Sequence, residues 1–462
     1  MIIKNARIYA DGLTHKGAML IKKGYITDII FNPSEEDYSN LVVKNYDEIE
    51  LDCQDKLVLP GIIDVHSHLR DMEQQEKETF LTGTKAAAFS GITTLFTMPN
   101  TKPPAINAKN VKKWISKAKN NIYVDVGFIA GVPKNINEKE IKKIIDLGVV
   151  GFKIYPLNSL SGISWLKEVN IQKILRISSK YQIPIFIHSD KPLEIKKKNK
   201  ILEENYSRQK SLLEIHNELH PDSMELSYVQ FIIGNYDRII TNNKLSYEDY
   251  PIIHFCHIST KQSYDFIVKT VKSNTNYKIS YEVTPHHLLL SKNVKLKNEN
   301  VGKVLPPLRD TYHSTYLFEQ LINGNIQMIA TDHAPHTLQD KSGTYLSVSS
   351  GFPGFETYPL LLLNKVVQYK LPLEVFVKAA SENPANYFHL HDTGFIKKGY
   401  EANLIIIEKT SEYAINPKMF KTKAKFSPFE NFKTQIKIWK VFLRGEEINY
   451  DDCKPMGKII IK

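Results

Sequence analysis

The chain has 462 residues, 42% of them hydrophobic, and 61 Lys and Arg against 50 Asp and Glu give a net charge of +11. That length suits one large α/β domain with a smaller companion, and no apolar run nears the roughly 20 residues of a membrane helix, so a soluble, cytoplasmic protein without membrane contact is expected. The positive charge is scattered, as in KKKNK (196–200), with no stripe of interleaved arginines and aromatics, which argues against nucleic acid, and the three cysteines Cys53, Cys256 and Cys453 form neither a disulfide framework nor a CxxC zinc site.

The first 56 residues read as short alternating segments with turn signals, IIKNARIYADG and GYITDII among them, and lack the features of a secretory leader. From residue 57 the pattern becomes β-branched runs separated by helical periodicity. The runs are GIIDVH (61–66), GITTLFTMP (91–99), IYVDVGFIAG (122–131), VVGFKIYP (149–156), IPIFIHS (183–189), PIIHFCHIS (251–259), KISYEVTP (278–285) and NIQMIATD (325–332). Segments such as NAKNVKKWISKAKN, EKEIKKIIDLG and TKQSYDFIVKTVKSN lie between them, with apolar positions three or four apart. Eight such units predict an α/β fold, a TIM (β/α)8 barrel over residues 57–395. Residues 196–247, polar and lysine-rich, read as an extended crossover with helical portions. Alternating segments return over 396–462, and together with 1–56 they predict a small β-sandwich formed by both termini.

Active sites of such barrels lie at the C-terminal ends of the strands. Run one ends in His66 and His68, which share a face because strand side chains alternate with period two. Run four carries Lys153, run five ends in His188, run six in His257, and run eight in Asp332, with His333 and His336 following. One histidine would be unremarkable, but four converging with an aspartate point to a metal centre. Lys153 leaves two readings open. It could pair with Asp332, or its neutral amine could take up carbon dioxide to give an anionic carbamate able to bridge two ions. By alternation Cys256 should point away from the face of His257, as a buried, inert thiol, while Glu282, His286 and His287 lie near the cluster without an assigned role. Arg70, a rare arginine beside the histidine pair, suits bidentate binding of a carboxylate. Asn100 and His336 can aim donors at the same spot.

The ordered set HSH, GFKIY, IHSD, HFCHIST, EVTPHH and ATDHAPH resembles the cyclic-amide branch of the amidohydrolase superfamily. Within it, HLRD (68–71), MPNTKPP (98–104), PPLRD (306–310), DHAPHT (332–337) and SGFPGFET (350–357) resemble the dihydroorotases, end to end along the chain. The resemblance implies a hydrolase that reversibly opens dihydroorotate to N-carbamoyl-aspartate, a step of pyrimidine synthesis. It implies two divalent ions, zinc by expectation: His66, His68 and Asp332 would hold one, His188 and His257 the other, and carboxylated Lys153 would bridge them. Asp332 would be the catalytic acid and base. Arg70, Asn100 and His336 would grip the substrate carboxylate, and the backbone of residues 351–354, Phe352 and Pro353 included, would meet the ring edge. A homodimer and association with aspartate transcarbamoylase are the partners it suggests. The rival readings are an allantoinase, hydantoinase or dihydropyrimidinase acting on an uncharged ring, and an inactive scaffold. Two departures stand out: DMEQQEKE follows Arg70 in place of the family's usual turn, and Leu305 stands where many relatives carry a polar residue.

Overall fold

The computed structural model describes residues 1–45, 47–207, 210–449 and 454–462, so Cys453 lies outside the described residues. The N-terminal segment forms β1 (Ile2–Ala10), β2 (Leu13–Lys22), β3 (Tyr25–Phe31), β4 (Glu50–Asp52) and β5 (Leu57–Pro60). The barrel strands follow: β6 (Ile62–Ser67), β7 (Ile92–Thr97), β8 (Asp125–Gly131), β9 (Gly151–Ile154), β10 (Ile185–His188), β11 (Ile253–Cys256), β12 (Ile279–Val283) and β13 (Met328–Ile329). The chain ends with β14 (Leu404–Ala414), β15 (Lys433–Leu443), β16 (Glu446–Glu447) and β17 (Ile459–Ile460).

Strands β6 to β13 pair in sequence order, all parallel, and every residue of β6, β7 and β8 is buried. That explains why the runs read as continuously apolar: both faces of a parallel sheet are covered. Inside the barrel, Ile63, Val65, Phe96, Ile129, Phe186 and Met328 pack together over Phe388, whose ring stacks on Phe186 at 5.5 Å. Outside, the helices bury their apolar stripes. The Ala108–Ala118 helix is capped by the Asn107 side chain, which accepts from the Asn110 amide, and it buries Val111, Trp114 and Ala118, three and four residues apart. Trp114 meets Phe128 of β8 edge-on at 4.7 Å. The crossover contains helices Ile195–Ser207, Leu212–Leu219 and Asp222–Asn243. Among the described residues no helix is long and apolar enough to cross a membrane.

Run eight is much shorter as a strand than its sequence predicts, because a side chain takes the ladder's place. The Thr331 amide and hydroxyl donate to the two oxygens of Asp64 in β6, at 3.0 and 2.5 Å. The barrel then closes through the bridge between Ser67 and His333, where the His68 amide donates to the His333 carbonyl at 2.7 Å.

The terminal segments form one mixed sheet in the order β16-β15-β14-β5-β1-β2-β3, with β4 beside β1. It curls so that Ile8, Met19, Ile21, Ile26, Val58, Leu404, Ile406 and Phe442 share a core. Its two ends meet where the Ala402 amide donates to the Gly24 carbonyl and the Gly445 amide to the Ala402 carbonyl. The close approach requires glycine: a Cβ on Gly445 would stand 2.6 Å from the Ile21 side chain. Two parts of residues 396–462 leave this sheet, contrary to the expectation from pattern alone. β17 pairs in parallel with barrel strand β8, and between β14 and β15 Phe420, Phe426 and Phe429 pack on Leu290, Val304 and Leu308 at the barrel's C-terminal mouth.

Candidate active site

The strand ends bring all six expected ligands to one end of the barrel. His66 lies in β6 and His68 just past it; Lys153 lies in β9, and His188 ends β10. In β11 the alternating strand stops at Cys256, with His254 and Cys256 facing inward. His254 Nε2 donates to Glu282 Oε2 at 2.9 Å, and Cys256 Sγ lies 2.8 Å from Lys153 Nζ. His257 follows at φ +40°, a left-handed turn that swings its ring to the same side. Cys256 therefore faces the cluster rather than pointing away from it, because alternation holds only while the strand does. Asp332 also sits at positive φ, +47°.

Five of the six are linked by direct contacts, and Lys153 joins them through Cys256 and Tyr155. His68 Nε2 and His66 Nε2 lie 3.0 and 3.3 Å from the same Asp332 oxygen. The His66 ring is 5.1 Å from that of His257, and His188 Nδ1 is 3.0 Å from His257 Nε2. Tyr155 stacks on His188 at 5.4 Å and lies under the Lys153 ammonium at 5.0 Å. Lys153 makes no ion pair with Asp332 among the described residues, which removes the simple salt-bridge reading of this lysine.

Burial and charge set the protonation of the cluster. Burial holds His188 and His257 well below the usual histidine range and takes His68 to about 4, so all three are neutral. Neutral His68 carries a single ring proton; donated from Nδ1 to Asn100 Oδ1, it leaves Nε2 as a bare lone pair beside the Asp332 carboxylate, two donors that a cation would join. Burial opposes charge on His66, but Glu282, 2.5 Å from its Nδ1, raises it to about 10. Burial would raise Glu282 and Asp332 as well, yet His66 brings Glu282 to about 2 and holds Asp332 well below the carboxylate range.

Divalent cations fit this donor set. Among the described residues His188 Nε2 and His257 Nδ1, and His66 Nε2, whose proton a cation would displace, are buried without a hydrogen-bond partner, and buried polar atoms are costly unless something engages them. The opposite nitrogen of each histidine of this pair is held from behind: His66 Nδ1 by Glu282, and His68 Nδ1 by Asn100 Oδ1 at 2.6 Å. Such outer partners fix the tautomer of metal-binding histidines. Two groups among the described residues bring their ligand atoms within 4.8 Å of one another, His66 with His68 and Asp332, and His66 with Cys256 and Glu282.

A cleft of about 260 Å³ opens over the cluster, lined among others by His68, Arg70, Asn100, His188, His257 and Asp332. Arg70 is 7% exposed. Its Nε donates to the Pro335 carbonyl at 3.3 Å and its Nη2 lies 3.3 Å from His336 Nε2, with no carboxylate in ion-pair reach among the described residues. Because the Asn100 carbonyl serves His68, its NH2 is left for the cleft. His336 stands behind Arg70 rather than in the lining, facing the Ser350 carbonyl at 3.0 Å and Lys77 Nζ at 3.3 Å. Of the 350–354 loop, Ser350 and Gly351 reach the cleft. Phe352 is buried edge-on against His286 at 5.0 Å, and Pro353 is buried too. His287 serves the core, bonded to Thr284 and to the Pro306 carbonyl.

Sequence reasoning missed Tyr155, Leu157, Asn158 and Leu160, which line the cleft with Val304 and Leu305. Period two from Lys153 reaches Tyr155, and period two back from His66 reaches Asp64, so both were within reach of the pattern. The other three follow the strand, where no period applies.

Residues 57–448 match the amidohydrolase family model. A dihydroorotase of Pyrococcus abyssi is 33% identical over 457 residues, covering 98% of this chain and 96% of the relative. A dihydroorotase of Ehrlichia chaffeensis is 31% identical, covering 96% and 93%. Among solved structures, an L-hydantoinase (dihydropyrimidinase) from Arthrobacter aurescens superposes with a TM-score of 0.87 at 22% identity, covering 100% of this chain and 99% of its own.

Proposed function

The chain belongs to the amidohydrolase family and is a hydrolase of cyclic amides, and from that premise we propose that its substrate is dihydroorotate, opened reversibly to N-carbamoyl-aspartate in pyrimidine synthesis. One observation carries the choice of substrate. Arg70 lines the cleft beside the histidine–aspartate cluster, almost wholly buried and without a carboxylate partner among the described residues. A buried guanidinium is costly unless an anion meets it. Dihydroorotate brings a carboxylate on the ring whose amide is to be cleaved, whereas hydantoin, dihydrouracil and allantoin bring none. Relatives at 30–34% identity that are dihydroorotases support the same reading.

His66, His68 and Asp332 would hold one divalent ion and His188 and His257 a second, with Lys153 as a carbamate between them and zinc the expected metal. When bound, such ions supply Lewis acidity toward the scissile carbonyl and lower the pKa of water. The chain's own groups do the rest. Arg70 accepts the carboxylate on its planar fork, and the Asn100 NH2 donates beside it. Ser350 and Gly351 border the ring. Asp332, ionised at neutral pH because the histidines hold its carboxylate low, takes the proton of the attacking water and returns it to the departing ring nitrogen. Lys153 suits the carbamate because a buried ammonium beside a thiol has no counter-charge there, while the carbamate is an anion among cations.

The test is hydrolysis of L-dihydroorotate in parallel with dihydrouracil, hydantoin and allantoin, with metal content measured on the same sample. Selective turnover of dihydroorotate is expected. Turnover confined to the uncharged rings would overturn the assignment of Arg70.

A further inference from the structure

Glu78 and His333 are fully buried, and neither has a part in the chemistry above. His333 follows Asp332, and its contacts run in four directions. Its carbonyl accepts from the His68 amide at 2.7 Å, and its amide donates to Thr331 Oγ1 at 2.9 Å. Its ring lies flat on Phe355, 3.8 Å between centroids and 5° from parallel. Nδ1 accepts from the Gly354 amide at 3.2 Å. An accepting Nδ1 places the ring proton on Nε2, which has no hydrogen-bond partner among the described residues and faces Glu78 Oε2 at 3.7 Å.

The Glu78 carboxylate in turn gathers the segment between β14 and β15. It accepts from the Thr422 hydroxyl and, at 3.3 Å, from the Lys423 amide. From the other side Glu356, next to Phe355, accepts from the Lys421 amide at 2.6 Å and the Thr422 amide at 3.1 Å. Two carboxylates thus grip three consecutive residues of the C-terminal segment, and the loop holding Ser350 and Gly351 hangs between that grip and the His333 ring.

We propose that Glu78 and His333 are positioning residues that hold the lip of the cleft, residues 350–355, against the strap at Thr422 and Lys423, so that the C-terminal segment sets how tightly the substrate ring is bound. The proposal rests on the cyclic-amide reading of the cleft, but not on which ring is the substrate, because the lip meets the ring edge and Arg70 the carboxylate.

Four variants test it: Thr422→Val, Glu78→Gln, His333→Leu and His333→Asn, with kcat, KM, metal content and melting temperature read for each. His333→Leu removes the acceptor of the Gly354 amide, and KM should rise about tenfold for the loss of one buried hydrogen bond. His333→Asn can offer its side-chain oxygen at the place of Nδ1, and KM should return to within about threefold of wild type. Thr422→Val, far from the reacting atoms, and Glu78→Gln, which loses the charge facing Nε2, should raise KM about threefold or more. In all four, kcat should stay within about twofold and the metal content should not change. Unchanged KM with a lowered melting temperature would make the pair merely structural. A joint loss of kcat and metal would mean that His333 acts on Asp332 instead, and either result overturns the proposal. If His333→Leu fails to fold, Thr422→Val decides. Should the wild type open hydantoin but not dihydroorotate, the substrate reading fails, and the same KM comparison on hydantoin still decides the role of the pair.

Discussion

Arg70 sits on a left-handed backbone at φ +53° in a chain whose cations are mostly lysine, and its guanidinium is turned into the cleft. Arg70→Lys keeps the charge and loses the fork. One hydrogen bond to a charged group is worth about 1.5–3 kcal/mol, so kcat/KM for dihydroorotate should fall about tenfold or more, with a much smaller loss for rings without a carboxylate; steady-state kinetics on both kinds of ring measure the difference. At this scale most of the centre was legible. His66 and His68 share a face by simple alternation, and Arg70 and Asn100 were singled out beside them. Cys256 was misjudged because the residue after it turns left-handed, and nothing local in HFCHIST marks the end of the strand. His336 was expected at the carboxylate and instead backs Arg70, since Lys77 and Ser350, distant in sequence, take up its ring nitrogens.

Loops between the regular elements hold groups with their own pH dependence. Lys341, 1% exposed, has no carboxylate partner among the described residues. Its ammonium donates to the carbonyls of Ser349 at 2.8 Å and Lys303 at 3.2 Å, pinning the segment that leads to Ser350 and Gly351. Burial, with repulsion from Lys303, takes it from 10.5 to about 7. The folded chain therefore binds fewer protons than the unfolded chain between about pH 7 and 10.5, and stability rises with pH through that window; below it the lysine is charged in both states and its burial cost is felt in full. Scanning calorimetry should find the melting temperature climbing between pH 7 and 9, with a flatter climb in Lys341→Met. Equal profiles for the two proteins would show that the lysine is not buried as described. Such a site was invisible in the sequence, where Lys341 reads as one more charge on a polar loop. The barrel strands were legible because burial on both faces leaves an apolar run, but β13 was overextended because Asp64 takes the Thr331 donors that would have carried its ladder.

Across the whole molecule, the cluster of buried histidines is the place where folding and the proposed metal binding would meet. Three imidazole nitrogens buried without partners among the described residues cost the metal-free fold, and cations bound there would stabilise the native state by mass action, about 4 kcal/mol at a thousandfold excess over Kd. Dialysis against a chelator should lower the melting temperature and abolish turnover, and zinc should restore both; an unchanged melting temperature after complete metal loss would mean that the histidines are not ligands. The strap that crosses from the terminal sheet to the barrel mouth packs Phe420, Phe426 and Phe429 beside the cleft, although its sequence reads as part of a terminal β-sandwich.

The sequence by itself determined the eight βα units, the six residues that meet at their ends and the family the chain resembles, because each depends on short-range periodicity or on motifs contiguous in the chain. Only the tertiary structure decided that Cys256 faces Lys153, that His336 stands behind Arg70, that Phe352 turns into the core and that β17 joins the barrel. These depend on a backbone turn at a strand's end, or on partners up to hundreds of residues away, and neither leaves a local pattern. The placement of the candidate ligands was legible because strand alternation delivers it. Its supports were not, because hydrogen bonds between loops obey no period.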